Sequence, residues 1–257
     1  MHTDRPNDEK EQERLDVHHH VCALILGGEL FRAPVDLDHD KARILDLGTG
    51  TGIWAIEMAE LPPNCHCEIN DFESEWEFSK PFDFIHGRNI GGAVRDFPLL
   101  FKRAKDNLKD GGWVEFVDFV GEPFSDDGTL AKAPNIAEWI RLIDEASHKS
   151  GKRLYIAENL KQWMIDAGFT NVVEEVYKVP FNPWPKDRHL KEIGRYHQVD
   201  LEEALDAYSM ALFTRYLGWT TQAVHAFLVG VRQELVDRSI HIYSKHIWVY
   251  GQKKESD

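Results

Sequence analysis

Ala42-Arg-Ile-Leu-Asp-Leu-Gly-Thr-Gly-Thr-Gly52 runs from a short apolar segment through one acid, Asp46, into glycines at every second position. An apolar run of this length that meets glycines reads as a strand handing over to a helix through a tight turn. Glycines there let the backbone bend and let a ligand approach without a Cβ in the way. The helix start behind them offers backbone N–H groups to an anionic group. Spacing narrows the ligand. A dinucleotide loop needs Gly-x-Gly-x-x-Gly, which is absent, and no Lys follows the glycines as a phosphate-cradling loop requires. Gly48, Thr49, Gly50 and Gly52 with Asp46 suit a small zwitterion such as the methionine end of S-adenosylmethionine. Its carboxylate would meet the N–H groups and its ammonium would meet Asp46. A purely structural turn is the plain alternative.

Working outward, Ile53 to Glu60 makes a helix of barely two turns, stopped by Pro62-Pro63. Cys65–Ile69 reads as a second strand ending at Asn70-Asp71-Phe72. Phe82–His86 reads as a third, with Gly87-Arg88-Asn89 at its end. A helix over about 96–108 leads to a fourth strand, Trp113–Phe119. Helices over about 130–149 and 157–167 precede a fifth strand, Asn171–Tyr177, and residues 241–250 supply a sixth. The alternation predicts an α/β fold with a doubly wound, mostly parallel sheet and helices on both faces. Before it, Asp8, Glu9 and Glu11 open a helix that Gly27-Gly28 closes, with Leu15, His19, Cys22 and Leu26 as its expected buried stripe. Between the last two strands lies a helical block, in which Asp200-Leu-Glu-Glu203 reads as a capping-box-like start and Thr220–Val236 as a second helix. The expected organisation is an N-terminal helix (1–40), a core (41–185), a helical lid or structural subdomain (186–238) and a final core strand with a tail (239–257).

Composition excludes several functions. The chain has 257 residues, 42% apolar and 11% aromatic, too rich in both for general disorder. No run approaches the ~18 apolar residues of a membrane span. The net charge of −14 disfavours nucleic acid as a partner. Cys22, Cys65 and Cys67 form neither a disulfide framework nor a zinc motif, and His18-His19-His20 lacks a companion at metal-ligand spacing. A cytoplasmic protein without metal, acting on a small molecule, is expected, with the nucleus open if its role is regulatory. His86, at the C-terminal end of a central strand, is the best candidate for a general base, because ligands collect there in open α/β sheets. His20 could face an acceptor, although a polar surface row explains it as well. His197 and Tyr208 could reach a substrate from the lid, although core packing explains Tyr208. Trp54, Trp113 and Trp139 read as packing.

Beyond the glycine loop, four further stretches stand out: Asn7-Asp-Glu-x-Glu-Gln-x-Arg-Leu-Asp16, Phe82-Asp-Phe-Ile-His-x-Arg-Asn89, Gly111-Gly-Trp-Val-Glu-Phe-x-Asp118 and Gly194-Arg-Tyr-His-Gln198. Together with Arg43–Ile56 they resemble the fungal LaeA-like (UMTA-type) methyltransferases over nearly the whole chain. The resemblance implies a Rossmann-like class I fold, S-adenosylmethionine as cofactor and a place in secondary metabolism as pathway enzyme or regulator. By the same resemblance Asp46, Gly48, Gly50 and Gly52 hold the methionine end, Asp71 and Phe72 the adenine, and His86, Arg88 and Asn89 line the cofactor beside the acceptor.

Two departures from that pattern bear on function. The family has more chain before Pro6, so an arm that could cover the site is expected to be absent. Between Ala59-Glu60 and Leu61-Pro-Pro-Asn64 the family also completes its first helix and adds a strand ending in a ribose-binding acid. A rival reading counts 19 residues from Gly52 to Asp71, near the ~20 expected for such an acid, and gives the ribose to Asp71 or Glu68. If the strand is missing, the sheet is one strand short and cofactor affinity falls roughly 30- to 1000-fold. Two functions are therefore carried forward: methyl transfer to a small metabolite, or a non-methylating accessory or regulatory protein on the same scaffold. A dinucleotide oxidoreductase is disfavoured by the glycine spacing.

Overall fold

Ile44–Leu47 (β1), Phe82–Arg88 (β2), Leu108–Phe119 (β3), Thr170–Pro180 (β4) and Tyr243–Gln252 (β5) form one sheet in the order β1-β2-β3-β5-β4. The structure is a computed structural model that describes residues 8–37, 42–59 and 71–255. The expected strand at Cys65–Ile69 lies outside the described residues, and among those residues β1 pairs only with β2.

The α/β class and the mostly parallel sheet hold. β1, β2 and β3 are mutually parallel, while β5 lies antiparallel to both β3 and β4, so four of the five strands point one way. The reversal of β5 has a simple cause. After β4 the chain builds Arg188–Tyr216 (α6) and Thr221–Val236 (α7), which pack with Pro134–Ser150 (α4) near the C-terminal end of β3. With no crossover to the opposite edge, the chain re-enters the sheet from the side it left, and the strand runs backwards.

Phe97–Asn107 (α3) and Ala157–Asp166 (α5) cover one face of the sheet, burying Phe101, Leu160 and Met164 against Ile85, Phe116 and Val249. On the other face Glu9–Ile25 (α1) packs Val21, Cys22 and Ile25 against Val117 and Trp248. The short Ile53–Met58 helix (α2) sets Trp54 and Met58 against Phe84. Burying each large side chain contributes roughly 1.5–3 kcal/mol, so these clusters hold both faces shut. Trp54, Trp139 and Trp113 pack as their apolar neighbours predict, the last only partly buried.

Two local expectations need correction. Asp200 is not a helix cap. It lies inside the 29-residue α6, whose N-cap is Asp187, with its side chain accepting the Leu190 N–H. The Asp200 carboxylate is instead consumed by Arg14 and His18 of α1. The buried stripe of α1 is also rotated: His19 and Cys22 are buried, but Leu15 and Leu26 are only half-buried, and Glu11, Arg14 and His18 take the inner positions. Ionic pairing with α6, rather than apolar content, chose that face.

Candidate functional site

β1 ends at Leu47, and Gly48, Gly50 and Gly52 follow with φ of 74°, 59° and 83°. Side chains with a Cβ rarely adopt that region. The room is also limited, since a Cβ on Gly48 would lie 3.1 Å from Ile90 and one on Gly50 would lie 3.4 Å from Leu15. Gly48 and Gly50 are solvent-exposed, so the loop presents bare backbone outward. Thr49 Oγ1 donates to the Asp46 carbonyl at 3.0 Å, and Thr51 Oγ1 donates to Asp16 of α1 at 2.6 Å.

Asp46 is turned toward β2, where Nδ1 of His86 donates to its Oδ1 at 2.9 Å. The His86 ring is buried and stacked on Trp54 at 3.8 Å between centroids. Burial lowers its pKa below the usual imidazole value, against the pull of Asp46. His86 therefore lies beside the glycine loop, beneath Trp54, and not in the wall of the cleft described below. Phe72 lies close to Gly48. Asp71 caps a turn, its Oδ1 accepting the Glu73 N–H. At the end of β2, Arg88 reaches Nδ1 of His19 at 3.0 Å, and Asn89 meets Nε2 of His18. The structure thus brings Asp46, His86, Phe72 and the glycines together, and it ties Arg88 and Asn89 to α1.

A cleft opens past the C-terminal end of β3, between α1, α4 and α6. Most of its wall is apolar, including Phe119, Trp139, Ile143, Tyr155 and Phe181. One side is ionic. Arg14 donates to both Glu11 oxygens at 2.8 Å and to Oδ1 of Asp200 at 2.6 Å, and Nδ1 of His18 lies 2.7 Å from Oδ2 of Asp200. All four residues are buried. Burial disfavours charge on His18, but the facing Cys22 and Asp200 outweigh it and push the imidazole up to about 10. Burial likewise opposes the Asp200 carboxylate, yet His18 and Arg14 hold it well below its ordinary range. His197 and His246 also line the cleft, and burial lowers both. Tyr208 lines it too, while His20 is exposed and stacks edge-on with Tyr196.

Sequence reasoning missed Arg14, His18, Asp200 and His246 as wall residues. A signal existed for the first two. Glu11, Arg14, His18 and Cys22 recur at three- and four-residue spacing, one continuous stripe on a helix. Asp200 and His246 come from distant segments and carry no such local sign.

The family of proteins described as the methyltransferase domain matches residues 18–174 of this sequence. The chain belongs to that family. Among its relatives, the methyltransferase pytC of Aspergillus terreus is 36% identical over 96% of the chain and 82% of its own length. The secondary metabolism regulator LAE1 of Cochliobolus heterostrophus is 36% identical over 95% of the chain and 87% of its own. Among solved structures, an S-adenosylmethionine-dependent methyltransferase of Thermotoga maritima aligns with 96% of the chain and 95% of its own at 14% identity, with a TM-score of 0.49. The alignment with pytC runs over 268 positions, more than the 257 residues of the whole chain. That relative of the methyltransferase domain therefore carries residues that this chain lacks. Among the described residues, no helix is long and apolar enough to cross a membrane.

Proposed function

We propose that the chain binds S-adenosylmethionine at the glycine loop and transfers its methyl group to a small molecule of fungal secondary metabolism held in the cleft. The observation that carries this reading is the exposed loop of left-handed glycines beside Asp46, which follows the C-terminal end of β1 as the cleft follows that of the parallel strand β3. The residues fit the cofactor's amino-acid end: backbone at Gly48, Thr49, Gly50 and Gly52 toward its carboxylate, and Asp46 toward its ammonium. When bound, the cofactor supplies an electrophilic methyl group on a sulfonium. His86 is assigned to holding Asp46 in place, because its Nδ1 is committed there and Trp54 covers its ring. Phe72 and Asp71 are assigned to the nucleoside, and Arg88 and Asn89 to joining that site to the acceptor through α1. Alignment of acceptor and methyl donor contributes most of what such a transfer needs, and the apolar cleft wall supplies both alignment and exclusion of water.

Calorimetric titration with S-adenosylhomocysteine tests this reading. Binding in the micromolar range is expected, weakened about ten- to a hundredfold in Asp46→Asn, the loss of a hydrogen bond to a charged group. A second reading is favoured by the residues that pytC carries and this chain lacks, and by the regulator among its relatives. In it the chain is an accessory or regulatory protein that does not methylate. Absence of binding at millimolar S-adenosylhomocysteine would select that reading over methyl transfer. A pathway enzyme would act in the cytoplasm, and a regulator in the nucleus.

A further inference from the structure

Two histidines in the cleft keep ring nitrogens to which no described residue offers a partner. Nδ1 of His197 donates to the Pro180 carbonyl at 2.9 Å. That bond fixes the tautomer of the neutral ring and leaves the lone pair on Nε2. His246 makes ring contacts with His18, Phe119, His197 and Trp248 but no hydrogen bond. His197 and His246 are 4% and 3% exposed, yet neither contributes to the fully enclosed side-chain atoms that lack partners. Their nitrogens therefore keep contact with open space, through the cleft that both residues line. A ring nitrogen left this way is open to a group that enters the cleft.

The surrounding chemistry says what that partner is. Lone pairs on neutral imidazoles call for a donor. The ionic side of the wall is already paired within itself, Asp200 to Arg14 and His18, and calls for no charged ligand. The rest of the wall asks for an apolar, flat-sided body, with Phe119, Trp139 and Phe181 among its surfaces. We propose that the cleft takes a largely apolar acceptor bearing a phenolic or enolic hydroxyl, whose O–H donates to Nε2 of His197. This inference rests on the cleft being the acceptor site. His246 lies beside His197, with ring centroids 5.6 Å apart, and offers a second acceptor to a neighbouring hydroxyl. His197 selects the ligand by its lone pair, whereas His18, paired to Asp200, holds α1 against α6.

The test uses the full chain and 1-naphthol as probe, titrated with and without S-adenosylhomocysteine. 1-Methoxynaphthalene and 1-naphthoate serve as the probes without a donor. 1-Naphthol is expected to bind about tenfold tighter than either, the value of one hydrogen bond in a dry site. His197→Leu is expected to erase that preference. His197→Gln, whose side-chain oxygen can still accept, is expected to keep most of it. In ¹⁵N-histidine spectra of the unmutated chain, Nε2 of His197 should shift on saturation with 1-naphthol, which needs no variant to fold. No preference for 1-naphthol, a preference that survives in His197→Leu, or an unmoved Nε2 resonance at saturation would each overturn the proposal. The S-adenosylhomocysteine titration separates the two readings. Cofactor binding without naphthol discrimination removes the acceptor class alone, and naphthol discrimination dependent on His197 without cofactor binding removes methyl transfer alone.

Discussion

At the scale of single residues, Glu115 carries an unusual cost. It faces His86 across β2 and β3, fully buried, and one of its oxygens accepts the backbone N–H groups of Arg32 and Ala33 at 2.7 Å. The other oxygen has no partner among the described residues. Burial, only partly offset by those two N–H donors, pushes its pKa up to about 7. The folded chain thus holds a proton there that the unfolded chain releases near the ordinary glutamate value of about 4.5. The stability tied to that proton is complete below about pH 4.5 and is lost as pH rises through about 7. Glu115→Gln keeps an oxygen for both N–H groups and removes the titration. Its stability relative to the unmutated chain should therefore rise between pH 4.5 and 8, by on the order of 3 kcal/mol. Urea unfolding at a series of pH values measures this. A difference that stays flat across the window would show that Glu115 titrates normally.

Among elements, the junction that matters most is α1 on α6. Apolar contacts at Val21, Cys22 and Ile25 seat one end of α1 on the sheet, but the chain Glu11–Arg14–Asp200–His18 fixes its other end. Removing one member of a buried ion pair leaves an uncompensated charge and costs roughly 3–5 kcal/mol. Arg14→Ala leaves Glu11 without its partner and Asp200 with His18 alone, so a destabilisation in that range is expected in chemical unfolding. Early proteolysis within α1 should accompany it. A loss below about 1 kcal/mol, the value of exposed pairs, would mean that the network contributes only as surface ion pairs do.

For the molecule as a whole, α1 spans both halves of the candidate site. Leu15 and Asp16 lie against Gly50 and Thr51, while Arg14 and His18 wall the cleft. A ligand on the glycine loop should therefore tighten α1 and, through it, the cleft. At a hundred times its dissociation constant, S-adenosylhomocysteine should add about 2.7 kcal/mol of stability, or roughly 5–10 °C in Tm. Hydrogen exchange should slow in α1 as well as in the loop. Protection confined to the loop would show that the two halves are independent.

How much of this was legible without coordinates depends on the range of the interactions involved. The glycine spacing, Asp46 and the α/β alternation were readable from residues 42–52 and the strands around them, because backbone conformation and periodicity are local properties, while the family was readable as a resemblance in motifs spread from Asn7 to Gln198. The helices near residues 96–108 and 220–236 were equally readable, as Asp96 and Thr220 cap them in place. Asp200 misled, since its capping pattern is local and its true partners, Arg14 and His18, lie 186 and 182 residues away. The His86 pairing with Asp46 and the unpartnered lone pairs of His197 and His246 belong to the same class. Each depends on which distant side chains burial forces together, and a sequence records those meetings only after the chain has closed its sheet.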